Sequence, residues 1–159
     1  MRILVWLTEG TWPACVDAAA DLAPPGADIT LLHVTDPGVA ESLHGAFLGR
    51  LGRGGHGTDP GDTVEAAVRA AERTLLDAAV ARLGRPAHTA ATSGRAERLV
   101  VEACEAADLL ILARDGDHSR PGPGSLGPAT RFVVDHAPCR VLLLWPDAAT
   151  SPRLLPPAG

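Results

Sequence analysis

Residues 108–145 read DLLILARDGDHSRPGPGSLGPATRFVVDHAPCRVLLLW, and this stretch decides the fold. Its two apolar runs, LLILA and RVLLLW, are continuous rather than alternating. A strand with one wet face alternates and a strand covered on both faces does not, so both runs predict parallel strands inside a layered α/β fold. The first is expected over Asp108 to Ala113 and the second over Arg140 to Trp145. Between them lie a glycine- and proline-rich loop, Arg114 to Gly127, and a short helix, Pro128 to Asp135. Pro128 marks the helix start, because the first helical position needs no N–H and favours a fixed φ. A glycine-rich loop feeding a helix N-terminus turns backbone N–H groups toward one place, which suits a phosphate or another anion.

The same pattern extends upstream. Arg2 to Leu7 is apolar on both faces and predicts a central strand. Thr8-Glu9-Gly10-Thr11 turns the chain into a helix that Thr11 is expected to cap, with Pro13 in its first turn. That helix runs to Leu22 and stops at Pro24-Pro25-Gly26. Asp28 to Val34 is the second strand, and one intervening helix makes the pair parallel with a right-handed crossover. From Thr35 to Gly61 glycines break up the apolar pieces and predict a long connection. Arg50, Arg53 and His56 in it are candidates to fold over a phosphate, with a solvated loop as the plainer reading. Asp62 and Glu65 resemble a capping box, and Val64, Val68, Ala71, Leu75, Ala79 and Leu83 form one apolar stripe that ends at Gly84. His88 to Thr92 is a third strand; Gly94 opens a third helix with Glu97 in its first turn and Leu99, Val100, Ala103 and Cys104 facing inward.

The element order predicts an open sheet of five parallel strands with helices on both faces. Ligands of such sheets bind beyond the carboxyl ends of the strands, where the strand order reverses. Residues 1–146 are expected to form this one α/β domain, and the proline-rich residues 147–159 a disordered tail.

Composition narrows the function classes. The net charge of -5 weighs against nucleic acid as a partner. No apolar run reaches membrane-spanning length, and MRILVWLTEG reads as a strand rather than a signal peptide, so a cytoplasmic protein is expected. Cys15, Cys104 and Cys139 are odd in number and widely spaced, which suits buried reduced thiols. Every basic side chain other than histidine is an arginine; without lysine there is no Walker A lysine and no Schiff base. The histidines lack metal spacing, and His33 and His136, at element ends, read as structural. Ser93, Ser119 and Ser125 lack the context of a nucleophile elbow. Gly122, Gly124 and Gly127 spell GxGxxG, with Asp147 at a plausible distance for a ribose-binding acid. That motif should follow its strand directly, yet Arg114 to Pro121 intervene, so a flexible loop is expected. Trp6 reads as core packing, with filling of an adenine site as the alternative.

The chain resembles the universal stress protein family over nearly its whole length. The opening ILVWLTEGT, the strand Leu31-Leu32-His33-Val34 and above all His136-Ala137-Pro138-Cys139 followed by Arg140-Val141-Leu142-Leu143-Leu144 carry the resemblance. It implies the strand order 3-2-1-4-5, a homodimer joined through Arg140 to Trp145, and in many members ATP between strands one and four. The family's nucleotide motif, G-x2-G-x9-G-[ST], is altered here. Ala113 stands at the first glycine, Asp115 where His is common, Gly116 at the second glycine, Gly127 at the third with one extra spacer residue, and Pro128 at the Ser or Thr. Thr130 matches a threonine often found two residues further on. On this resemblance Thr8 or Glu9 and Val34 would surround base and ribose, and Gly116, Gly127, Ala129 and Thr130 the phosphates. Ala113, Asp115 and Pro128 would weaken the phosphate end, with Arg114, His118 and Arg120 near enough in sequence to compensate. ATP or AMP is the expected ligand, with Mg only alongside it. The resulting expectation is a stress-response protein that binds adenine nucleotide weakly and acts by association. A nucleotide-free dimeric adaptor and a nucleotide hydrolase or transferase on the same fold are the alternatives.

Overall fold

The structure, a computed structural model, describes residues 1–38, 60–119 and 121–146. Among these residues five strands alternate with four α-helices. They are β1 (Arg2–Leu7), α1 (Trp12–Leu22), β2 (Asp28–Thr35), α2 (Pro60–Leu83), β3 (His88–Ser93), α3 (Ala96–Cys104), β4 (Leu109–Ala113), α4 (Pro128–His136) and β5 (Arg140–Leu144). All pairings are parallel and the spatial order is β3-β2-β1-β4-β5, as expected. The pairing that decides the topology is β1 with β4, in the register Ile3↔Leu109, Leu4↔Leu110 and Val5↔Ile111.

Period-two alternation sorts the strand residues onto two cores. Ile3, Val5 and Leu7 of β1 face α1 and α2 and pack with Cys15, Val16, Ala19, Ala79 and Leu83. Leu4 and Trp6 face the opposite layer and pack with Val100 and Cys104 of α3 and Val133 of α4. Trp6, 4% exposed, is therefore a core residue. β1 and β4 carry side chains buried on both faces, which is why their sequences show no alternation.

Three local expectations need correction. The Thr11 hydroxyl makes no bond to the α1 backbone; it sits 2.5 Å from the Thr8 hydroxyl, while the N–H groups of Thr11 and Trp12 donate to the Thr8 carbonyl. The turn itself, not a side-chain cap, starts the helix. The α2 seam is displaced: Leu76, Ala79 and Leu83 are buried, Leu75 and Val80 half-buried, and Ala71 exposed. Three successive steps of four residues, from Ala71 to Leu83, drift off a 3.6-residue face, and Leu76 is buried in place of Ala71. The same helix starts at Pro60, so Asp62 lies inside it rather than at its cap. Arg50, Arg53, His56, Arg120, Asp147 and the tail 147–159 lie outside the described residues.

A two-pronged ion pair ties α1 to α2: Arg82 donates to the Asp17 carboxylate at 2.6 and 2.7 Å. Its hydrogen bond holds the Asp17 carboxyl below the usual aspartate range. A depressed folded-state pKa adds stability above the unfolded value of about 4, lost as pH falls through the folded value. The melting temperature of Asp17→Asn is therefore expected to lie below that of the parent at pH 7, with the gap closing as pH drops below 4. Thermal melts across that range check it; a gap independent of pH contradicts the assignment.

Candidate functional site

The carboxyl ends of β1 and β4 lie side by side, and the chain leaves them in opposite directions, β1 into α1 and β4 into α4. This is the point where the strand order reverses, the place where open α/β sheets generally bind their ligands. On the β1 side, Thr8 is half-buried and Glu9 exposed. Gly10 makes the turn with φ +82°, a left-handed conformation that favours glycine. Val34 at the end of β2 is half-buried against the α3/α4 core. His33 beside it is buried, its Nδ1–H donating to the Leu7 carbonyl at 3.0 Å, which is the structural role expected of it.

On the β4 side the loop is a closed, hydrogen-bonded turn rather than a loose linker. Arg114 N–H continues the sheet by donating to the Leu144 carbonyl at 2.9 Å. Gly116 N–H donates to the Ser125 carbonyl at 3.0 Å and Asp117 N–H to the Gly124 carbonyl at 2.8 Å. The GPGSLG run thus folds back over Gly116 through a helical turn, Pro123–Ser125, and does not form a dinucleotide loop. Gly116 is required by space: a Cβ there would lie 2.3 Å from the Gly124 carbonyl oxygen. Ser125, 1% exposed, donates its hydroxyl to the Gly122 carbonyl at 2.7 Å and accepts from the Arg114 guanidinium at 2.5 Å. Arg114 also lies over the Trp145 ring, 5.2 Å from its centre, and His118 donates to the Arg114 carbonyl at 2.7 Å.

The central contact is between two residues of the altered motif. Gly127, the residue before the first turn of α4, donates its N–H to Asp115 Oδ1 at 2.7 Å. Pro128 follows at the helix start, exposed and without an N–H; Ala129 is half-buried and Thr130 1% exposed. Ala113 is 5% exposed and packs in the core on the α1 side. The structure therefore joins Asp115 to Gly127 directly. It places Gly116 under the turn and keeps Thr8, Glu9 and Val34 on neighbouring strand ends. Of the ten expected residues only Pro128 lines the shallow concavity of about 480 Å³ along the outer face of α4. Ser125 and Trp145 were not expected here. A serine in a proline- and glycine-rich run carries no sequence signal of burial, and Trp145 was legible only as part of a strand.

At the phosphate end two holds that a helix start can offer an anion are missing. One helix N-terminal N–H is taken by a carboxylate and the next position has none. Arg114, expected to compensate, is turned toward Ser125 and Trp145. Burial pushes the Cys15 and Cys104 thiols up to about 12, with Cys139 beside Cys104 adding to the latter. Such thiols are poor nucleophiles at neutral pH. Among the described residues no helix is long and apolar enough to cross a membrane.

Several solved structures share this architecture. The protein MJ0577 superposes with a TM-score of 0.65 at 15% identity, covering 91% of this chain and 94% of its own. The universal stress protein UspA from Lactobacillus plantarum gives 0.57 at 22% identity over 91% and 97%. A universal stress protein solved in complex with cAMP gives 0.55 at 17% identity over 92% and 97%. At these identities the likeness shows the fold. Among curated proteins none matches the chain. The family model of the universal stress proteins matches residues 1–144, so the chain belongs to the universal stress protein family.

Proposed function

We propose that this protein acts by binding and association rather than turnover, taking an adenine nucleotide weakly at the crevice between β1 and β4. The observation that carries the reading is the strand reversal at β1 and β4, with Thr8, Glu9 and Val34 on adjoining strand ends. The cAMP complex of a relative with the same fold supports an adenine ligand. The Asp115–Gly127 bond supports weakness, because a phosphate gains little where the N–H is already satisfied. Asp115, an acceptor in that bond, is poorly placed to serve as a general base, and this counts against hydrolysis. We also propose that two copies join through Arg140 to Trp145. The same Asp115–Gly127 bond gives the nucleotide-free dimeric adaptor its standing as the second reading.

Isothermal calorimetry with ATP and AMP tests the first reading. The expected dissociation constants are weaker than about 0.1 mM, a loss of about two decades from a micromolar site. Binding of ATP at low micromolar concentration would contradict weak binding; no heat with either nucleotide favours the adaptor. Native mass spectrometry of freshly purified protein reports retained nucleotide and subunit number together.

A further inference from the structure

We propose that Asp115 is a built-in competitor for phosphate, which restricts the crevice to phosphate-poor adenine ligands and makes a single side chain the determinant of ligand class. The idea deepens the crevice reading and rests on it only for the adenine part.

The carboxylate is seated where an anion would be. Oδ1 accepts the Gly127 N–H at 2.7 Å, at the N-terminus of the nine-residue helix α4, the end that favours negative charge. Both carboxylate oxygens lie 2.9 Å from the point where a Cβ on residue 127 would stand. The carboxylate therefore lies flat against the glycine, and only glycine admits it so closely. The partners are 12 residues apart, so this is no local cap of the kind that Asp makes with the residues just after it. The loop also presents Asp115 rather than merely tolerating it. The flanking amides are fixed, Arg114 to the Leu144 carbonyl and Gly116 to the Ser125 carbonyl.

Local charge works in the same direction. A phosphate approaching α4 meets a carboxylate as well as an occupied N–H, so it loses a charge-assisted hydrogen bond and gains repulsion. Among the described residues no ion pair neutralises Asp115, and the nearby guanidinium of Arg114 is on Ser125 and the Trp145 ring. Pro128 leaves the helix start without the N–H that could offer phosphate a second hold.

The test uses the full chain as parent, Asp115→Ala and Asp115→Asn. Sodium tripolyphosphate, ATP and adenosine are titrated separately by calorimetry, with thermal melts confirming that each variant is folded. Asn keeps an oxygen to accept the Gly127 N–H but drops the charge; Ala removes both. For tripolyphosphate and ATP the expected gain is about ten- to a hundredfold in Asp115→Ala, the worth of one charge-assisted hydrogen bond. Asp115→Asn is expected to gain less. Adenosine binding is expected to be equal in all three proteins. If neither variant gains affinity for tripolyphosphate, the competitor role is wrong, and Asp115 only braces the loop. The adenosine arm reports on the crevice separately: no adenosine binding with a tripolyphosphate gain removes the adenine reading and leaves the role of Asp115 intact.

Discussion

Gly116→Ala will lower the unfolding free energy by about 2–4 kcal/mol, the sum of an overpacking cost and the weakening of two hydrogen bonds. The added Cβ would stand 2.3 Å from the Gly124 carbonyl oxygen, 2.8 Å from the Ser125 carbonyl carbon and 3.0 Å from the Leu126 nitrogen. All three are backbone atoms, so no side chain can swing aside. Relief requires the turn to lift off β4, which stretches the bonds from Gly116 N–H to the Ser125 carbonyl and from Asp117 N–H to the Gly124 carbonyl. Gly127→Ala is the internal control. Its backbone is ordinary, at φ -65° and ψ 164°, and the three atoms nearest its Cβ would all belong to the Asp115 carboxylate, a side chain that can turn aside by giving up its bond to the Gly127 N–H. The loss at 127 should be clearly smaller than at 116. Urea unfolding of both variants decides the point. Equal losses would mean that the turn over Gly116 is not packed as described, and the placement of Asp115 would fall with it.

That contrast bears on how much was legible in the sequence. The fold was legible because its signals are local and redundant. LLILA and RVLLLW lack alternation since both faces of β4 and β5 meet packed layers, and Pro-Pro-Gly at 24–26 and Pro128 punctuate the helices. The altered motif was legible too, including the negative charge of Asp115 near the phosphate end. Its engagement was not, because the Gly127 N–H lies 12 residues away and only the folded turn brings the two together. The run Pro121 to Gly127 looked loose for a similar reason: glycine and proline mark a break in regular structure but do not show where the freed backbone groups bond. The Thr11 cap failed on a competing partner, since the Thr8 hydroxyl, three residues back, takes the hydroxyl that was expected to reach the helix.

Assembly offers the sharpest outcome. β5 is the last strand of the sheet, and among the described residues nothing pairs with its outer edge. Its apolar side chains are half-covered, Leu142 and Leu144 by the α1/α2 core and Val141 and Leu143 by the α3/α4 core. What remains open is the row of backbone groups, the feature that invites pairing with a second chain. The Leu144 carbonyl accepts from Arg114 N–H, so the backbone groups of Leu144 are turned inward to β4. In a parallel ladder alternate residues turn opposite ways, so the N–H of Leu143 points out to the free edge. Leu143→Pro therefore removes an outward donor and leaves the β4–β5 ladder its own bonds, the setting in which a strand tolerates proline. We expect the parent to run as a dimer in light scattering at micromolar concentration. Leu143→Pro is expected to be a folded monomer there, with the dimer weakened by at least about tenfold, the worth of one lost hydrogen bond and a bent edge. Leu144→Pro is expected to behave differently, breaking the pairing with β4 and lowering stability, because its N–H faces inward. A monomer mass for the parent would reject the proposed dimer. Dimers of Leu143→Pro as tight as the parent's would place the contact on another surface, with the exposed side of α4 around Phe132 the next to test.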